Sequence, residues 1–199
     1  MEASPRTNDS LVVALLPVVV HELNNATQML TSYNALFGMP EGAALLEARA
    51  EDLASVGEEL QELGWLVGAL ASSAGQNLLL ARRRADGLGP LVRMLRKGLR
   101  RQSKDLVLPE SELPHLSVTH GAGWEVVWAV GTLLWSAASR SMEPLRWAAL
   151  RAPGGYAFEM EAEVEDPTGF AERLTRDVEG AQLETPARLF LPDAYWAAS

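Results

Sequence analysis

Apolar residues near the N-terminus recur at alternating steps of four and three: Val12, Leu16, Val19, Leu23, Ala26, Leu30, Tyr33 and Phe37. This heptad spacing predicts a long helix packed in a bundle or coiled coil. Asn8, Asp9 or Ser10 can cap its start. Pro17 removes one backbone bond inside it and predicts a bend about one turn before His21. With the seam at heptad positions a and d, His21 falls at f, facing away from the partner helices. Asn25 and Gln28 follow four and seven residues on and share the His21 face. Glu22 sits beside the histidine, turned toward the bundle edge.

Gly38, Pro40 and Gly42 end this helix in a short turn. A second helix is expected to run to about Leu70, with the seam Leu46, Ala50, Leu53, Val56, Leu60, Leu63, Val67 and Leu70. One irregular step lies near Leu53. Its outer face is acidic, carrying Glu47, Glu51, Asp52, Glu58, Glu59 and Glu62. Two helices joined by a short turn make an antiparallel hairpin. A lone hairpin leaves apolar stripes uncovered, which predicts a second copy and a four-helix bundle. The alternative cover is the chain's own second half.

Ala71-Ser72-Ser73-Ala74-Gly75 reads as a boundary between a helical hairpin domain at 8–75 and a mixed domain at 76–199. Beyond it, Leu88–Arg101 and Gly123–Arg140 are helical. Asp105–Leu108 and Leu116–Thr119 are strand candidates. Leu145–Ala152 and Tyr156–Val164 form a hairpin around Pro153-Gly154-Gly155. A short helix at Pro167–Glu179 and a closing strand at Ala187–Leu191 complete an α+β layer.

Composition narrows the setting. The chain has 199 residues and 48% hydrophobic content, enough for one ordinary domain or two small ones. It has no cysteine, which points to a reducing compartment without disulfides or thiolate metal sites. Leu11–Val20 is too short to span a bilayer, and its acidic flank is unlike a signal peptide. A soluble, cytoplasmic protein is therefore expected. Net charge is −9, unevenly placed: nine basic residues against Asp86 between Arg82 and Lys104 give +8 there and leave −17 elsewhere. Without interleaved aromatics, that run suggests a solvated face or a dock for an acidic protein partner rather than nucleic acid.

A lone histidine on a helix surface is ordinarily just solvated, and Glu22 is as easily half of an ion pair. The motif gives more. His21-Glu22-Leu23-Asn24-Asn25 resembles the H box of two-component histidine kinases, at the matching place in a matching helix. Downstream, Gly123–Arg140 resembles the helix bearing the N box of their ATP-binding domain. The hairpin through Val164 and the segment Thr185–Pro192 are similar to its strands. The resemblance runs from about residue 10 to 192 and is only topological after residue 76. It implies a helical hairpin dimerising into a four-helix bundle, followed by a small, degenerate histidine-kinase-type ATPase-like α/β sandwich.

The nucleotide-binding residues depart from that pattern. Thr132 and Ser136 stand where the N box has asparagines. Val164-Glu165-Asp166-Pro167-Thr168-Gly169 resembles a first glycine box that keeps Asp166 but lacks the second glycine. No later glycine box or lid segment follows, and Asp86-Gly87-Leu88-Gly89 precedes the wrong helix and reads as a turn. Nucleotide phosphates need magnesium and converging amide donors, so ATP binding is not expected.

The pattern as a whole is most similar to dimeric histidine phosphotransferases of phosphorelays. That resemblance implies that His21 takes a phosphoryl group from one response-regulator receiver domain and passes it to another. Glu22 would orient the ring or accept its proton, and Asn25 would position a water or the transferring oxygens. The protein would need no cofactor of its own, because the receiver supplies magnesium. Expected partners are receiver domains and a second copy, with neither nucleic acid nor membrane. Two other readings stand beside this one: a non-catalytic, pseudokinase-like scaffold that binds a regulator or kinase, and an ATP-dependent histidine kinase with a divergent pocket. His115 and His120 flank a strand candidate and read as satisfying local hydrogen bonds.

Overall fold

The computed structural model describes residues 10–72, 88–107, 118, 123–161, 169–185 and 187–196. Helix α1 (Ser10–Phe37) is the long helix that the spacing predicts, and it continues through Pro17. Pro17 lies on the exposed side beside exposed Val13, where solvent can meet the carbonyl that loses its helical partner.

The buried stripe of α1 differs from the predicted seam. Leu11, Leu15, Val18, Val19, Glu22 and Ala26 are enclosed, whereas Leu16, Leu30 and Phe37 are 50%, 41% and 72% exposed. Apolar residues surround the helix from Leu11 to Val20, so spacing alone supports more than one stripe and the neighbours decide. Those neighbours belong to the same chain. α1 packs on α3 (Ala50–Ser72), α4 (Leu88–Arg100) and α5 (Gly123–Arg140). The expected second helix is divided into α2 (Gly42–Glu47) and α3, with the break at Ala48 and Arg49, just ahead of its irregular step.

α4 and α5 come close because glycines face them. A Cβ at Gly98 would lie 3.0 Å from Trp135 of α5 and 3.3 Å from Val18 of α1. A Cβ at Gly131 would lie 2.8 Å from Leu11. Each glycine leaves space that a neighbouring helix fills with its own side chains, seated directly against the backbone.

The remainder is a four-stranded antiparallel sheet, making the fold α+β. Its strands are β1 (Trp147–Ala152), β2 (Gly155–Met160), β3 (Gln182–Thr185) and β4 (Arg188–Pro192), in the order β1-β2-β4-β3. Pro153 and Gly154 turn β1 into β2, and Gly154 takes the positive φ of 79° that favours glycine. The expected closing strand is β4, which lies inside the sheet, paired with β2 on one side and β3 on the other. α6 (Phe170–Asp177) lies within the span expected for a short helix. Among the described residues of the two early strand candidates, Leu106 bridges to Leu145 and Val118 to Trp196. Leu108, Leu116 and Thr119 lie outside the described residues, as do Val164 and the segment 73–75.

One apolar cluster joins these parts. It includes Leu15 of α1, Leu66 of α3, Leu95 of α4, Leu134 of α5, Phe158 of β2 and Leu189 of β4. Residues on both sides of position 75 therefore share a core. Each such leucine contributes about 1.5–3 kcal/mol by leaving water.

α4 ends in a Schellman turn. The Lys104 N–H donates to the Leu99 carbonyl at 3.0 Å and the Ser103 N–H to that of Arg100 at 3.1 Å. Ser103 is held at φ 58°, a conformation that glycine adopts without strain. Ser103→Gly is expected to raise stability by about 1 kcal/mol. The measurement is urea unfolding, read as a higher midpoint at unchanged slope; Ser103→Val should lower the midpoint.

Candidate functional site

His21 is exposed on α1, and Asn24, Asn25, Thr27 and Gln28 around it are exposed too. The His21, Asn25 and Gln28 side chains share one flank of the helix, as their spacing requires. Nearby hydroxyls are turned to the helix itself: Thr27 donates to the Leu23 carbonyl at 2.8 Å, and Thr31 to that of Thr27 at 2.8 Å. No charged residue occurs from Leu23 to Pro40. The result is an imidazole with exposed amides beside it, on an uncharged stretch of a chain whose net charge is −9.

Glu22 is placed differently from the bundle edge expected of it. It is only 8% exposed and is the one buried charged side chain among the described residues. Its Oε2 accepts a hydrogen bond from the Lys97 ammonium of α4. Lys97 also lies 3.6 Å from Glu59 of α3, and Arg93 one turn earlier pairs with Glu62. Burying a carboxylate requires a compensating cation, and Lys97 provides it. Sequence reasoning had not singled out Lys97, which is 75 positions from Glu22. The available signal was the complementary charge of the acidic α3 face and the basic α4.

Internal pairing occupies much of the described basic run. Arg96 donates to Asp105 at 2.8 Å, Arg100 donates to the same carboxylate at 3.2 Å, and Lys104 donates to the Ser141 carbonyl at 2.7 Å. These cations mainly hold α4 to its own chain. Arg82, Arg83 and Arg84 lie outside the described residues.

In the second half, Thr132 and Ser136 are half-buried on α5. The Thr132 hydroxyl is enclosed without a hydrogen-bond partner among the described residues. Gly169 precedes α6 with φ 71°. Asp86, Gly87, His115, His120 and Asp166 lie outside the described residues. Among those described, no three His, Cys, Asp or Glu side chains converge as a metal site. No described helix is long and apolar enough to cross a membrane.

Burial opposes ionisation of Asp105, but hydrogen bonds from Arg96, Arg100 and the Leu106 N–H outweigh it and hold the carboxyl below its ordinary range. A depressed carboxyl stabilises the fold above the unfolded-state pKa, and that contribution disappears as pH falls through the folded-state value. Asp105→Asn is therefore expected to destabilise the protein at pH 7. Urea midpoints measured downward from about pH 4 should then show a smaller acid-side loss in the variant than in the wild type.

No protein-family model matches this chain, and no curated protein or solved structure matches it either.

Proposed function

We propose that this protein is a histidine phosphotransferase of a two-component phosphorelay, accepting a phosphoryl group at His21 from one receiver domain and donating it to another. The observation that carries this reading is the exposed imidazole on a helix whose opposite side is fixed in the core. Phosphoryl transfer needs positioning and charge neutralisation more than covalent help from the protein. Neutral imidazole attacks phosphorus in line through a ring nitrogen. The P–N bond forms as the P–O bond to the receiver aspartate breaks, and the carboxylate leaves with the electron pair. The receiver brings its own magnesium.

The surroundings suit an anionic group. Asn25 and Gln28 offer amide donors, and the uncharged stretch from Leu23 to Pro40 spares a phosphoryl group the repulsion of an acidic chain. In this reading the chain is cytoplasmic and dimeric, and two copies of the α1–α3 hairpin form a four-helix bundle. Val13, Leu16, Val20, Leu30 and Phe37 are exposed at heptad spacing along α1 and provide the apolar seam for the second copy. The second half is then a degenerate relative of a histidine kinase ATP-binding domain, retained without nucleotide. That same exposed stripe favours a second reading, a non-catalytic scaffold that captures a regulator or kinase.

Incubation with a phosphorylated receiver domain should label the wild type. His21→Ala should abolish the label while leaving the unfolding midpoint nearly unchanged, since an exposed side chain is removed. Labelled ATP alone should give no signal, and a strong one would favour the kinase reading. Receiver binding without transfer would favour the scaffold. Light scattering should give the mass of two chains; the mass of one would remove the bundle.

A further inference from the structure

Two neighbouring contacts fix α1 to α4 around the candidate histidine. Val18, three residues before His21, lies against the backbone at Gly98. Glu22, one residue after it, accepts the hydrogen bond of Lys97. Successive positions of α4 thus grip α1 on either side of His21 in sequence. Lys97 is braced in turn by Glu59 of α3, 3.6 Å away. Two grips one turn apart set the rotation of a helix about its axis. Turning α1 to bring His21 inward would pull Glu22 off its cation and leave a charge buried alone.

We propose that Glu22 and Lys97 are a positioning pair that presents the His21 imidazole to solvent, and that the Glu22 carboxylate handles no proton in the transfer. This rests on the phosphotransfer reading. Adjacent helical residues diverge by about 100°, so His21 points to solvent while Glu22 points into the α1–α3–α4 junction. The chemistry needs no carboxylate at that point. The attacking nitrogen of a neutral imidazole carries a lone pair and no proton, and the ring's one proton stays on the other nitrogen while the P–N bond forms.

The test uses the full chain with Glu22→Met, Lys97→Met and the double variant, which replaces the ion pair by an apolar pair of similar length. At saturating phosphorylated receiver, each single variant should transfer about tenfold more slowly, because misplacing a reacting group costs rate. The receiver concentration giving half-maximal rate should stay within about twofold. The double variant should return to within about threefold of the wild type, because an apolar pair can replace a buried ion pair without leaving a lone charge. A double variant as slow as Glu22→Met would overturn the proposal, as would single variants that transfer normally. A second readout is independent of the receiver: the rate at which diethyl pyrocarbonate modifies His21. It should change in both single variants and return to the wild-type value in the double, and a double that fails to return counts against the pair. A wild type that accepts no phosphoryl group overturns the phosphotransfer reading itself; the positioning claim is then decided by the reagent rates.

Discussion

A carboxylate on the inner stripe of a packed helix obliges the fold to bring a cation to it. Glu22 imposes that requirement on α1, and Lys97 of α4 meets it. The rest of the arrangement is consistent with this meeting. α4 must lie flat against α1, and Gly98, the next residue, leaves room for Val18 and Trp135 on either side. α3 must bring its acidic face to the same place, and Glu59 and Glu62 lie beside Lys97 and Arg93. Removing Lys97 from such a junction is more damaging than replacing both partners, because the Glu22 carboxylate left behind is charged and buried.

The same junction sets the character of the outer surface. Pairing within the chain consumes Arg93, Arg96, Lys97 and Arg100, so α4 offers less positive charge than its composition suggests. On α1 the exposed side retains His21, its amide neighbours and an apolar stripe, with no charge from Leu23 to Pro40. In the phosphotransfer reading proposed above, such a surface would spare an incoming anionic group the repulsion of an acidic chain. The imidazole is carried by a helix rather than a loop, so its position follows from how α1 is packed and from its own side-chain rotation.

Much of this was legible in the residues. α1, α4, α5 and the β1–β2 hairpin follow from long periodic segments with clear ends, and exposure of His21, Asn25 and Gln28 followed from one helical face. The buried stripe of α1 was not legible, because Leu11 to Val20 is apolar on all sides and only the packing partners choose among the faces. β3 escaped notice because Gln-Leu-Glu-Thr is short, has one large apolar residue and sits at the sheet edge. The division of the second helix at Ala48 and Arg49 showed only as a misstep in its seam. The partner of Glu22 was hidden by distance: complementary charge on α3 and α4 could be seen, but not which carboxylate would be buried.

If the Glu22–Lys97 contact holds α1 to α4, the histidine-bearing segment of α1 and the facing segment of α4 form one cooperative unit. Native-state hydrogen exchange tests it most directly, by comparing the amides of residues 18–23 with those of 91–99 under increasing denaturant. Both sets should exchange through the same unfolding event, with equal free energies and equal denaturant dependence. An α1 segment that opens at lower free energy while α4 stays protected would contradict it.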